Sequence, residues 1–153
     1  MTPAVADARL IELPRITSES GSLTPVQGGV EIPFEIARVF YLYDIPAGAH
    51  RGGHAHHALE EVIVAVMGSI TVELDDGRER RTVDLRQPDV GLYVPPMLWA
   101  ELVDFASGSI AVVLASVGFD ERDHIRDHGD YVELVGGAVT PPGGRAAARS
   151  AHG

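Results

Sequence analysis

Short apolar segments of strand length recur along this chain and are separated by Gly, Pro and Asp. Short apolar runs that are bounded by turn residues and rich in branched side chains are typical of β-strands. The segments predicted as strands are 9–13, 22–26, 36–45, 62–67, 69–74, 80–85, 91–94, 100–105 and 110–116. Many short strands at close spacing predict an all-β sandwich or barrel, with a jelly roll as one way of protecting the sheet edges.

A tight turn is predicted at Asp75-Asp76-Gly77, between two of these strands. Asp-Gly favours a hairpin because both residues tolerate the positive φ angles of a primed turn. We therefore expect residues 72–74 to pair antiparallel with residues 82–85.

The pattern changes after the last predicted strand. Residues 119–126 are predicted to form a short C-terminal helix, with Asp120 as its N-cap and acidic residues in its first turn. Residues 136–153 are mainly Gly, Pro, Ala, Ser and Arg, which offer too little apolar surface to offset the entropy cost of ordering. We predict a single domain over residues 1–135, followed by a disordered tail over residues 136–153.

Composition excludes several classes of function. The chain of 153 residues has no cysteine, which rules out disulfides, thiolate metal sites and cysteine nucleophiles. Its net charge of −10 disfavours nucleic acid and anionic membranes as partners. The first residues lack a basic and apolar leader, so the expected location is the cytoplasm.

The segment from Gly48 to Gly68 carries the strongest chemical signal. It contains His54, His56 and Glu61 in the spacing Gly-x5-His-x-His-x4-Glu-x6-Gly, which matches the first motif of the cupin barrels. Residues two apart in a strand project from the same face, so the two imidazoles are expected to point together into a barrel interior. The sequence therefore predicts a cupin, an RmlC-like jelly-roll β-barrel, with a histidine-lined pocket.

Two imidazoles and a carboxylate are also a familiar ligand set for iron, manganese or zinc. His54, His56 and Glu61 are thus an alternative metal site. Metal cupins normally add a histidine from a second motif, and here Ala100 stands at that position. The other histidines are expected to lie at the surface: His50, His57, His124, His128 and His152.

Several separated motifs resemble the sugar 3,4-ketoisomerases of the WxcM-like, FdtA-type family, which are cupins. They are Arg-Gly-Gly-His-Ala-His at 51–56, Leu-Asp-Asp-Gly at 74–77, Gly-Leu-Tyr-Val at 91–94, Trp99-x-Glu101, Val-Leu-Ala-Ser at 113–116 and the acidic segment 119–127. The resemblance covers residues 21–131 and keeps the order of the motifs.

The resemblance implies an isomerase that moves the ketone of dTDP-4-keto-6-deoxyglucose from C4 to C3, in deoxy and amino sugar biosynthesis, without a metal or other cofactor. His54 and His56 would be the catalytic residues by this resemblance. The residues expected to bind the dTDP-linked keto sugar are Arg38, Arg51, Tyr41, Trp99 and Glu101. Members of the family are homodimers that exchange an N-terminal strand, a role that residues 9–13 could fill.

Two departures from the family pattern bear on substrate identity and metal binding. Ser20 precedes Gly-Ser-Leu where the family has an arginine, and Glu61 replaces a common glutamine. Two other functions therefore stay open at this point: a metal-dependent cupin oxygenase or isomerase, and a sugar-binding cupin without turnover.

Overall fold

The computed structural model describes residues 2–136, which form two five-stranded sheets and one separate hairpin. The strands are β1 (Arg9–Glu12), β2 (Ile16–Ser18), β3 (Gly21–Leu23), β4 (Arg38–Leu42), β5 (Arg51–His56), β6 (Glu61–Met67), β7 (Ile70–Asp75), β8 (Arg80–Leu85), β9 (Val90–Val94), β10 (Trp99–Val103), β11 (Ile110–Ala115) and β12 (His124–Ile125). The helical elements are the 3₁₀ turns Val5–Asp7 and Glu121–Asp123 and the helix α1 (His128–Val135). Within the described part, no helix has the length and apolar character needed to cross a membrane.

The two sheets have the strand orders β1-β9-β6-β11-β4 and β12-β5-β10-β7-β8, and β2 pairs with β3 alone. All pairs of named strands are antiparallel. Strands that are neighbours in space are often distant in sequence, as in the pairing of β1 with β9 and of β5 with β12. This arrangement is the all-β jelly-roll barrel predicted from the sequence.

Apolar side chains from both sheets meet in one central core. Ile63 and Ala65 of β6 face this core, where they pack with residues such as Val72 and Leu74 of β7. A second cluster covers the outer face of the first sheet, and Val64 belongs to it. Because β6 is buried on both faces, its sequence is a continuous apolar run without polar alternation.

The predicted hairpin is confirmed. In the β7–β8 ladder Val72 lies opposite Val83 and Glu73 lies opposite Thr82. The loop that joins the strands is closed by the N–H of Asp76, which donates to the carbonyl oxygen of Glu79. Each of the predicted strand segments overlaps a strand, whereas β2 and β12 were not predicted and β5 was inferred only from the His-x-His spacing, not from an apolar run.

The predicted helix at residues 119–126 is wrong in position. Asp120 does act as an N-cap, but only for the 3₁₀ turn, and the backbone at 124–125 then extends as β12 and pairs with β5. The helix starts later, where the Asp127 carboxylate accepts the N–H of Asp130. Tyr131 and Val135 lie one turn apart in α1 and bury against the barrel, which stabilises the helix there. The predicted tail, beyond Gly136, lies outside the described residues.

Candidate active site

The two motif histidines share one face of β5. His54 lies opposite Ala100 of β10, and Ala100 belongs to the central core, so the His54 side chain points into the barrel. His56, two residues further on, lies on the same face and is 6% exposed. The ring centroids of the two histidines are 4.6 Å apart in an edge-to-face arrangement. The strand-face prediction for this pair therefore matches the structure.

A β-bulge at the start of β5 brings Arg51 to the same face as His54. Gly52 lies opposite Glu101 and His54 lies opposite Ala100, which leaves Gly53 as an extra residue in the strand. Both glycines have positive φ, +86° and +66°, which a side chain would strain. Without the bulge, positions 51 and 54 would project from opposite faces.

His124 is the third imidazole of the cleft. It lies on β12 directly opposite His56, and its ring centroid is 4.5 Å from that of His56 and 5.1 Å from that of His54. The expectation that His124 lies on a helix surface is wrong, because residues 124–125 pair with β5. Hydrophobic periodicity gives no signal for a strand of two residues, so its sequence alone did not reveal this position.

Burial is the main cause of the low pKa values of His54 and His56. It lowers the pKa of His54 to about 3, with further lowering from the neighbouring His56 and His124. It also lowers the pKa of His56 to about 3, assisted by His124 and by the positive charge of Arg38. Both imidazoles are therefore neutral at physiological pH, and each keeps a lone pair that can accept a proton.

Arg38 and Glu61 flank the cleft from the opposite sheet. Strand β11 lies between β4 and β6. Its residue Ala115 pairs with Arg38 of β4 on one side and with Glu61 of β6 on the other. The Arg38 guanidinium stacks over Phe40 at 4.8 Å. Burial raises the pKa of Glu61 to about 7, and the charge of Arg38 offsets this only in part. No ion pair within 4.0 Å joins Arg38 to Glu61 in residues 2–136, so neither group is neutralised by direct contact.

Two arginines have buried N–H groups that lack a partner. Nη1 of Arg38 and Nε of Arg51 are inaccessible and make no hydrogen bond to the described part of the chain. Buried donors are nearly always satisfied in folded proteins, so an unsatisfied pair calls for an explanation. A planar guanidinium binds carboxylate or phosphate oxygens through parallel N–H groups. The two positions therefore suit an anionic ligand.

The other predicted substrate-binding residues project away from the barrel interior that holds His54 and His56. Tyr41 lies on the outer face of β4, 62% exposed, and packs on Tyr43. Trp99 is buried in a cluster with Tyr131 on the outer face of the second sheet. Glu101 accepts a hydrogen bond of 2.8 Å from Nδ1 of His50.

The remaining histidines and Ser20 have separate surroundings. His57 is exposed, as expected. His128 is half-buried and bonds to the Asp75 carboxylate at 2.7 Å, so its predicted surface position is only partly right. Ser20 lies in the exposed turn between β2 and β3.

The alternative metal set is not assembled as predicted. In residues 2–136, the group of candidate ligand atoms that lie within 4.8 Å of one another comes from His54, His56 and His124, and it does not include Glu61. The position of the fourth cupin ligand is occupied by Ala100, whose side chain cannot bind a metal. The neutral imidazoles of His54 and His56 thus lie in one cleft with two guanidinium groups whose buried N–H groups have no partner in residues 2–136, which suits proton transfer beside a bound anion.

Comparisons with known proteins agree with this site. The family model FdtA, described as WxcM-like, C-terminal, matches residues 6–136. A TDP-4-oxo-6-deoxy-alpha-D-glucose-3,4-oxoisomerase from Aneurinibacillus thermoaerophilus is 40% identical over 127 residues, which cover 83% of this chain and 91% of the relative.

Solved structures of 3,4-ketoisomerases are also similar to this chain. The sugar 3,4-ketoisomerase QdtA from Thermoanaerobacterium thermosaccharolyticum, in complex with TDP, has a TM-score of 0.85 and 35% identity, covering 87% of this chain and 97% of the other. A 3,4-ketoisomerase from Helicobacter canadensis has a TM-score of 0.83 and 35% identity, covering 85% and 98%.

Proposed function

Since this chain belongs to the FdtA family of WxcM-like proteins, we propose that its histidine-lined cleft isomerises a TDP-linked 4-keto-6-deoxy sugar to the 3-keto sugar. The chain is an isomerase of the 3,4-ketoisomerase type, and TDP-4-keto-6-deoxyglucose is its expected substrate. The observation that carries the site assignment is the pair of neutral imidazoles, His54 partly buried and His56 buried, with ring centroids 4.6 Å apart on one strand face.

The reaction is a balanced exchange of hydrogens. A base removes the proton from C3, and the C3–H electron pair forms a C3–C4 double bond while the C4 oxygen gains a proton. The resulting enediol then loses the proton of its C3 hydroxyl and receives a proton at C4, which leaves the ketone at C3. One hydrogen moves between carbons and one between oxygens, with no net oxidation.

Imidazole suits both halves of this exchange because it accepts a proton through one nitrogen and donates it again. His54 and His56 lie close enough to each other to divide the carbon and oxygen transfers between them. Replacing either imidazole by an amide keeps a polar side chain but removes the proton-accepting nitrogen.

Arg38 and Arg51 are proposed to bind the diphosphate. Each has a buried N–H that meets no acceptor in the described part of the chain, and the phosphate oxygens would satisfy both. Neutralising Arg38 would also remove one of the charges that lower the pKa of His56. Substrate binding would therefore raise the pKa of His56 and make this imidazole a stronger proton acceptor.

Product analysis and isotope exchange test this function. The protein is incubated with dTDP-4-keto-6-deoxyglucose in D₂O, with and without chelator, and NMR follows the product and the deuterium at C3 and C4. We expect a 3-keto product and exchange that the chelator does not reduce. Binding without product would indicate a sugar-binding cupin, and loss of exchange with chelator would indicate a metal-dependent enzyme.

We propose in addition that the protein forms a homodimer through the exposed outer face of β4, the edge strand of the first sheet. Val39 and Tyr41 of β4, together with Tyr43, are 54%, 62% and 59% exposed and lie side by side. Such an exposed apolar patch is typical of an interface. The exchange of β1 remains a prediction, since β1 pairs with β9 within one chain here. Sedimentation equilibrium of the wild type and of Tyr41→Ser would test the dimer, which the substitution is expected to weaken.

A further inference from the structure

His124 gives the cleft a third imidazole that the isomerisation does not require. It enters from β12, and its ring lies against those of both His54 and His56. One candidate ligand nitrogen from each of these residues lies within 4.8 Å of the other two. Three imidazoles that converge in this way are the protein ligand set of a mononuclear zinc site with an open fourth position.

The hydrogen bonding of His124 fixes which nitrogen is available. Its Nδ1 lies 2.9 Å from the carbonyl oxygen of Asp120, which can only accept, so Nδ1 carries the proton and donates. Nε2 of His124 is then the atom with the free lone pair. Histidines that bind metals typically donate their second ring N–H to such a partner, which orients the ring.

The spacing and local charge also permit a cation. With Zn–N distances near 2.0–2.1 Å, tetrahedral ligand nitrogens lie about 3.3 Å apart, so nitrogens that now lie within 4.8 Å of one another would close by up to about 1.5 Å around the ion. Arg126 is the nearby cation on the same segment, and the Glu121 carboxylate offsets part of its charge through two hydrogen bonds of 2.7 and 3.0 Å.

We propose that His54, His56 and His124 bind a divalent ion of the zinc class, and that the bound ion excludes the keto sugar from the cleft. The metal would occupy the lone pairs that the reaction needs, so the ion acts as an inhibitor. The inhibition rests on the proposed isomerase function, whereas the metal site itself does not.

Zinc binding is measured first, without any sugar, by competition between the purified protein and a chromophoric chelator. We expect one Zn²⁺ per chain, bound in the micromolar range or below. Loss of an outer-shell partner costs zinc sites about 10–100-fold in affinity, so His124→Phe, which loses a ligand, should cost at least about 100-fold. His124→Asn tests the same point with a polar side chain, and retained TDP affinity shows that each variant is folded.

His57→Asn is the matched control, because His57 is an exposed neighbour of His56 and is absent from the ligand group. Its zinc affinity should equal that of the wild type. Zinc affinity that is unchanged in both His124 variants, or equally reduced in His57→Asn, would overturn the site. So would the absence of stoichiometric binding to the wild type.

Competition with substrate tests the inhibition separately. Zn²⁺ should raise the apparent KM for the keto sugar, and excess chelator should restore full turnover. His124→Phe should resist zinc at concentrations that inhibit the wild type. Zinc bound at full stoichiometry without any effect on KM or turnover would overturn the inhibition, while absence of isomerase activity in metal-free protein would instead contradict the proposed function.

Discussion

Buried polar groups occur in two regions of this barrel, and the two regions differ in how those groups are paired. In the β7–β8 hairpin, Asp76 is 5% exposed, and its carboxylate accepts the N–H groups of Val5, Arg78 and Glu79. Nearby, Arg81 donates to two carbonyl oxygens of the N-terminal segment. In the histidine cleft, by contrast, N–H groups of two arginines and Nδ1 of His54 have no partner in the described chain.

Two carboxyls show the same contrast in their pKa values. Burial alone would raise the pKa of Asp76, but the N–H groups around it lower the value below its usual range. Within residues 2–136 no N–H group donates to the carboxyl of Glu61, and burial raises its pKa to about 7. A buried polar group with hydrogen-bond partners contributes to stability, whereas one without partners costs stability. We attribute the unpaired groups of the cleft to ligand binding.

The largest expected effect is on turnover in the cleft. Replacing His54 by Asn should lower turnover by roughly 10²–10⁴-fold, the usual contribution of general acid–base catalysis, with dTDP affinity nearly unchanged. His56→Asn should behave alike, and the exposed His57→Asn serves as the control. Full C3 deuterium exchange in both cleft variants would remove the histidines from the proton transfer.

A substitution in the β7–β8 hairpin should change the stability of the fold rather than turnover. Asp76→Ala leaves three backbone N–H groups without their acceptor and should lower the free energy of unfolding by about 2–4 kcal/mol. Urea denaturation measures this, and Glu73→Ala, an exposed position on β7, is the control. A change within about 0.5 kcal/mol, as for an ordinary surface site, would show that the hairpin network does not stabilise the fold.

Arg51→Ala tests the unpaired guanidinium. Loss of a charge-assisted hydrogen bond should weaken dTDP binding by about 1.5–3 kcal/mol, measured by calorimetry. The free energy of unfolding should stay constant or rise, because the variant no longer buries an unsatisfied N–H. The exposed Arg86→Ala should change neither quantity. Unchanged dTDP affinity in folded Arg51→Ala would separate Arg51 from the ligand.

The smallest effect is a pH dependence of stability from Glu61. Its folded pKa of about 7 exceeds the unfolded value of 4.5, so its contribution to stability is lost as pH rises from 4.5 to 7. Glu61→Gln cannot ionise. The difference in free energy of unfolding between this variant and the wild type should therefore grow in favour of the variant by about 1–2 kcal/mol from pH 5 to pH 8. His54 and His56 titrate equally in both proteins, so the difference isolates Glu61. A difference that does not vary with pH would contradict the raised pKa.

Local sequence patterns predicted much of the barrel. Apolar runs located most strands, Asp-Gly located the hairpin, and the alternation of side chains across a strand placed His54 and His56 on one face. These features depend on residues within a few positions of one another, so they can be inferred without knowing the rest of the fold.

Neighbours in space, rather than in sequence, decided the rest. Whether residues 119–126 form a helix was decided by the pairing of β12 with β5 and by the burial of Tyr131 in α1. Trp99 and Tyr41 are aromatic residues of strand segments, and only the packing of the sheets determined which became core and which surface.

The sequence by itself therefore determined the β-rich class, the pair of histidines on β5 and their neighbouring glycines. The tertiary structure decided that Arg51 joins His54 on one face and that His124 completes a cluster of three imidazoles. The first depends on the register of β5 against β10 at the bulge, and the second on a ladder between residues far apart in the chain. Register and long-range pairing are set by the packing of the whole barrel, which no local pattern of residues encodes.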